Sequence, residues 1–244
     1  MTEYLYEIML KFDLKSVIFC MNRHNIPFIN NQTDRLTMKQ YLKPALALLF
    51  TMVALVGCND TNSPKEGDKY TQISTPISDM PMVVEVFSLS CGHCRSMETM
   101  LPEIKKMAGV NIDKVHVTFN ESAQLAAYIF YTASIQTDGK PSDKLMEQLF
   151  AYTQDTPEAA TEAEKKVILE EIFTSNNLLS PYGLSEEQHK QVYKKMTEAE
   201  SIVANSQLSS VPAFIVNGKY MVQSDAHQSL DDMANTIKYL TTLN

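Results

Sequence analysis

Cys91 and Cys94 stand two residues apart in Cys91-Gly92-His93-Cys94, where an apolar run gives way to a helical pattern. Two thiols so spaced can close into a small ring. A helix N-terminus would hold the first sulfur beside unpaired N–H groups and the positive end of the helix dipole, and both favour the thiolate. A stabilised thiolate favours the reduced pair, so the disulfide is readily passed to another protein. His93 adds a polar or cationic neighbour acting in the same direction.

Three other uses of such a pair fit less well. A structural zinc site needs four ligands, commonly two such pairs, and apart from this pair the chain has only Cys20 and Cys58, which form no second such pair. A c-type haem site needs histidine directly after the second cysteine, where Arg95 stands. An inert disulfide between residues this close would constrain the unfolded chain little.

The flanking pattern supplies the elements that must position the pair. Met82 to Ser88 is β-branched and aromatic and reads as a buried strand. After the pair, Met97, Leu101, Ile104 and Ala108 recur at helical spacing, with Pro102 as an expected kink and Gly109 as the stop. Lys114 to Phe119 alternates and reads as a second strand, so the unit is strand, helix, parallel strand, with Cys91 where the first strand feeds the helix. Glu85 lies mid-strand among apolar residues, where a carboxylate must be paired or take part in proton transfer.

From 121 to about 207 the periodicity is helical, with one stripe through Leu125, Tyr128, Ile129 and Ala133 and another through Val167, Ile168, Ile172 and Phe173. Breaks fall at Asp138-Gly139, near Pro157 and at Pro181-Tyr182-Gly183, and Ser185 with Gln188 reads as a capping box. Pro212 to Val216 and Lys219 to Gln223 read as strands around an Asn217-Gly218 hairpin turn, followed by a helix through Leu230, Met233, Ile237 and Leu240. His116, His189 and His227 are assigned to the surface or to satisfied core positions.

Ahead of this lies an address. Lys39 and Lys43 precede a small and apolar run from Ala45 to Gly57, the length of a signal-peptide core and short for a membrane span. It ends in Leu55-Val56-Gly57-Cys58, which resembles the lipobox of bacterial lipoproteins and implies a lipid on Cys58; an ordinary cleavage site or buried helix is the alternative. Residues 1–37, including Cys20, read as an upstream extension with translation starting at Met38, residues 38–57 as the signal peptide, 58–69 as a flexible tether and 70–244 as the domain. The formal net charge of −8 over 244 residues argues against nucleic-acid binding, and hydrophobic residues at 44% suffice for a core.

Over nearly all of the expected mature chain the sequence resembles the DsbA family. The resemblance is carried by Glu85-Val86-Phe87-Ser88 ahead of Cys91, by Lys114 and His116-Val117, by Val211-Pro212-Ala213, by Val216-Asn217-Gly218-Lys219-Tyr220, and by Ile237-Lys238-Tyr239-Leu240. It implies an α/β, thioredoxin-like fold with an inserted helical domain at 121–207. It assigns Cys91 as the exposed nucleophile, Cys94 as the shielded resolving thiol, and Pro212 as a cis-proline facing them, with Val211 offering backbone groups to a substrate peptide. A trans proline opening an edge strand is the other reading of Pro212. Glu85 is paired with Lys114 below the disulfide, either as a proton relay to Cys94 or as a structural ion pair.

The activity so implied is thiol:disulfide interchange, oxidising exported proteins with free thiols, with re-oxidation by a membrane partner of the DsbB type. No cofactor is implied beyond the Cys91–Cys94 disulfide, and no metal. The protein would be a periplasmic, lipid-anchored monomer. Gly92 departs from the proline of the best-known members and makes the dipeptide that of protein disulfide isomerase, which leaves the oxidising strength open. A reductase or isomerase of the same fold, or a non-catalytic binding lipoprotein, are the competing functions. Valine before Pro212, as in the oxidases, and the lack of an added dimerisation domain speak for the oxidase.

Overall fold

Strand β2, Val83–Phe87, is buried at every position and forms the spine of the molecule. The computed structural model describes residues 63–243, so the apolar run, Cys20 and Cys58 lie outside the described residues. Strand β1 is Tyr70–Gln72, β3 is Asp113–His116, β4 is Ala213–Val216 and β5 is Tyr220–Val222. The sheet order is β1-β5-β4-β2-β3, with β2 and β3 parallel and the other neighbours antiparallel.

Helix α1, Gly92–Ala108, makes the crossover between the parallel strands and ends at Gly109, whose φ of 71° is the left-handed cap. The helix continues past Pro102, whose ring removes the N–H that would bond one turn back and crowds the carbonyl there. Helices α2 (Glu121–Ser134), α3 (Asp143–Asp155), α4 (Glu162–Ser175) and α5 (Glu186–Ser206) form the insertion, and α6 (Leu230–Thr241) closes the chain. Each opens on a side-chain cap from Asn120, Ser142, Thr161, Ser185 or Ser229, and Ser185 with Gln188 forms the expected capping box. Among the described residues no helix is long and apolar enough to cross a membrane.

Two cores result. Val83, Phe214 and Val216 pack with Met97, Leu101 and Ile104 of α1 and Ile237 and Leu240 of α6. Val84, Val86 and Phe87 pack with Phe130, Phe150 and Phe173 of the insertion. Each such buried side chain contributes about 1.5–3 kcal/mol, so the insertion is bound to the sheet by the same face that carries the strand leading to Cys91.

Three local expectations are corrected. Leu125 is 65% exposed, because Ala123, Ala126, Ala127 and Phe130 turn inward instead; Val167 is likewise exposed at 60% and Ile168 at 37%, while Phe173 is fully buried. Strand β3 ends at His116 rather than Phe119, since Asn120 already caps α2; only Val117 still bonds the sheet, through its N–H to Phe87 O at 2.9 Å. Pro212, Lys219 and Gln223 lie just outside β4 and β5.

Strand β1 is an addition. It pairs with β5, and Lys69 beside it bonds Asp232 at 2.7 Å and the carbonyl of Ala226 at 2.6 Å, tying the start of the domain to α6.

Candidate active site

Between β2 and α1 the chain crosses Ser88 to Ser90, and this loop is held at each step. The Leu89 N–H donates to His116 Nε2 at 2.8 Å, and Leu89 O accepts from Gln154 Nε2 at 2.7 Å. The Ser90 N–H donates to Ser88 Oγ at 3.2 Å and the Cys91 N–H to Ser88 O at 3.0 Å. Because the Leu89 N–H occupies Nε2, the imidazole proton of His116 sits on Nδ1 and is donated to Val117 O at 2.7 Å. Burial holds the His116 ring neutral, pushed down to about 4.

Cys91 is the N-cap of α1. Its Sγ accepts the Cys94 N–H at 3.3 Å, and its S–H points to Val211 O at 3.5 Å. An N–H donor and the helix N-terminus thus both meet this sulfur, an environment suited to negative charge. Cys91 is partly exposed and Cys94 fully buried; both are free thiols. The Cys94 thiol is pushed up by burial, then by its hydrogen bond to Cys91 and the charge of Glu85, against a smaller pull from the Ser88 backbone. The two sulfurs are therefore unlike: one open and supported, the other shielded and held protonated.

The Val211–Pro212 peptide bond is cis, and both residues line a cleft of about 680 Å³ that also takes in His93 and Met97. A smaller hollow of about 280 Å³ takes in Cys91, Phe119 and Ser122, and Val211 is the one residue common to both. His93 and Gly92 are exposed. A Cβ on Gly92 would meet nothing within 4 Å, so a side chain could stand at this first helical position without a clash.

Below the dithiol, Glu85 and Lys114 are register partners on β2 and β3, and Lys114 Nζ bonds Glu85 Oε2 at 2.6 Å. Sequence reasoning missed the third member: Lys114 Nζ also bonds Glu98 Oε2 of α1 at 2.7 Å. Its one signal was position, since Glu98 follows Cys94 by four residues and so shares its helix face.

Glu85 Oε1 is buried without a hydrogen-bond partner. Burial pushes the Glu85 carboxyl up, outweighing the pull of a lysine shared with a second carboxylate. Burial works to lower Lys114, but Glu85 and Glu98 together hold it above its ordinary value. Of the remaining histidines, His189 meets the Tyr128 hydroxyl and His227 bonds Gln223 O and Thr236 Oγ1, both away from the dithiol.

A parallel-crossover sheet with a dithiol at the helix N-terminus and a cis-proline loop beside it defines the thioredoxin-fold oxidoreductases. The family model described as Thioredoxin matches residues 79–239. The thiol:disulfide interchange protein DsbA of Escherichia coli K12 is 26% identical, the alignment covering 72% of this chain and 88% of that protein; the Salmonella typhimurium protein of the same name is 27% identical over 72% and 87%. Among solved structures, Salmonella enterica serovar Typhimurium DsbL superposes with a TM-score of 0.59 at 17% identity, over 75% of this chain and 99% of that one. Pseudomonas aeruginosa DsbA gives 0.53 at 21% identity, over 73% and 93%. The chain belongs to the thioredoxin family and, within it, to the DsbA thiol:disulfide oxidoreductases.

Proposed function

We propose that the protein donates the Cys91–Cys94 disulfide to exported proteins bearing free thiols. The observation that carries this reading is the asymmetry of the pair, an accessible Cys91 sulfur beside the Val211 carbonyl and a fully buried Cys94. A substrate thiolate attacks Cys91 Sγ; the Cys91–Cys94 bond breaks, a mixed disulfide forms, and Cys94 leaves with the electron pair and takes up a proton. A second substrate thiolate then attacks the substrate sulfur of the mixed disulfide and expels Cys91 as thiolate. The substrate has lost two electrons and two protons, and the dithiol described above is the reduced product. A membrane partner of the DsbB type removes the two electrons again.

Glu85 is the group placed to exchange the Cys94 proton. Its raised affinity for a proton and its charge coupling to Cys94 support this, and Lys114 and Glu98 hold it in place. Val211 and Pro212 form the platform on which the substrate segment lies, and His93 tunes the attack at its rim. The lipobox-like Leu55-Val56-Gly57-Cys58 supports an anchor at Cys58, which would hold the monomeric domain at a membrane facing the periplasm.

The test is oxidative refolding. The oxidised protein, mixed with a reduced unfolded protein, should transfer its disulfide stoichiometrically, and thiol trapping in growing cells should find Cys91 and Cys94 mostly oxidised. A pair found mostly reduced in cells replaces the oxidase reading with a reductase or isomerase.

A further inference from the structure

We propose that the two hollows meeting at Val211 read the substrate on either side of its cysteine, one taking an apolar side chain and the other a long, hydrogen-bonding and preferentially cationic one. This rests on the reading of Cys91 as the attacked sulfur. The hollow that holds Cys91 has Phe119 as its apolar wall, a side chain left 56% exposed where strand β3 stops short. The larger cleft differs in chemistry. Met97, Met100 and Met221 give it an adaptable apolar floor. Its rim carries Gln72, Ser96, Gln207, Ser210, Gln223 and Asp225.

Two observations give this cleft a preference. Ser224 lies in the wall of this cleft with its hydroxyl buried and without a hydrogen-bond partner, so a small shift of the wall offers an entering polar group an unspent donor and acceptor. Among the lining residues Asp225 is the one acidic side chain, and no lysine or arginine stands among them. A lysine or arginine is therefore attracted and a glutamate repelled, and the long aliphatic stem of the cationic side chains can lie along the methionine floor while the charged end meets the rim.

The backbone of an extended segment fits this layout. Residues two before and two after a cysteine point the same way as its sulfur and stand about 7 Å to either side of it. With the substrate sulfur at Cys91 and its backbone at Val211, the residue that lines both hollows, the proposal seats one such residue in the Phe119 hollow and the other in the cleft lined by Asp225.

The test uses the oxidised full chain and single-cysteine pentapeptides with glycine beside the cysteine and Leu/Lys, Lys/Leu, Leu/Glu, Glu/Leu or Leu/Leu at the two outer positions. The initial rate of disulfide loss is read by acid quench and mass, and divided by the same peptide's rate with a small aromatic disulfide to remove differences in thiol reactivity. In one order the lysine peptide should outrun its glutamate counterpart about two- to fivefold, the range of a partly exposed ion pair. That advantage should shrink with added salt and vanish in Asp225→Asn, and Phe119→Ser should slow the Leu/Lys peptide in its faster order. Equal normalised rates for lysine and glutamate peptides, or a lysine advantage untouched by Asp225→Asn, overturn the proposal. A chain that oxidises neither these peptides nor a reduced unfolded protein overturns the underlying oxidase reading instead.

Discussion

The Leu89 N–H and His116 Nε2 lie 2.8 Å apart, so the loop that delivers Cys91 is fastened to the neighbouring strand by a histidine that can accept this bond only while neutral. Protonation would place a second N–H against the first. Since the folded ring is held near 4 and the unfolded ring titrates near 6.5, its contribution is fully present above about 6.5 and is lost as pH falls towards 4. The loss amounts to something on the order of 3 kcal/mol. Melting temperature recorded from pH 7 to pH 4 should fall steeply through that window, and His116→Asn should flatten the fall while starting from a lower value at pH 7. Parallel curves for the two proteins would exclude the histidine as the cause.

Glu85→Gln should stabilise the reduced protein at neutral pH and slow its reaction. The sign follows from the direction of the shift: a carboxyl whose folded value is raised favours folding below its unfolded value and loses that contribution as pH rises through the folded one. Removing the charge therefore changes nothing at acid pH and gains stability towards neutrality, about 1.4 kcal/mol for each pKa unit. Denaturant melts of both proteins at pH 4 and pH 7.5 check the sign. Stopped-flow reduction by a dithiol checks the rate, where a wild-type rate in Glu85→Gln would count against proton exchange with Cys94.

His93→Ala should make the pair less oxidising, since it removes a polar or cationic group at the rim of the attacked sulfur. Equilibration with a glutathione buffer should show the disulfide form gaining over the dithiol, each tenfold change corresponding to about 30 mV. Cys91→Ser should abolish transfer outright. Gly92→Pro should fold normally, given the open space at that position and its place as the first residue of α1.

Gly218→Ala should destabilise the domain by about 2 kcal/mol or more, measured by urea melts. Gly218 has φ of 62°, and a Cβ there would lie 2.1 Å from the carbonyl oxygen of Ile77, whose N–H bonds Gly218 O at 2.8 Å. The hairpin turn and the segment leading to β2 press on the same atom, so relaxation on one side is blocked by the other.

Cys58→Ala should shift the protein from the membrane fraction to the soluble periplasmic fraction, or stall its processing, without altering disulfide transfer by the purified domain. Metabolic labelling with a fatty acid reads the modification directly, and unlabelled wild-type protein would remove the anchor.

Local pattern determined much of this protein before any fold was drawn. Cys91 and Cys94 at the junction of a buried strand and an amphipathic helix, the Asn217-Gly218 turn with both residues at positive φ, and the Ser185–Gln188 cap are set by neighbours a few residues apart, and spacing reads such neighbours. What tertiary structure alone decided is which distant groups meet. Glu98 joins Glu85 on Lys114 only because α1 lies across the β2–β3 pair, and Gln154 reaches Leu89 only because α3 packs beside the same loop. Leu125 fell on an apolar stripe yet faces solvent, while the smaller Ala123, Ala126 and Ala127 are buried. Periodicity can show that a helix has an apolar stripe, but the surfaces that pack against it choose which side chains lose their water.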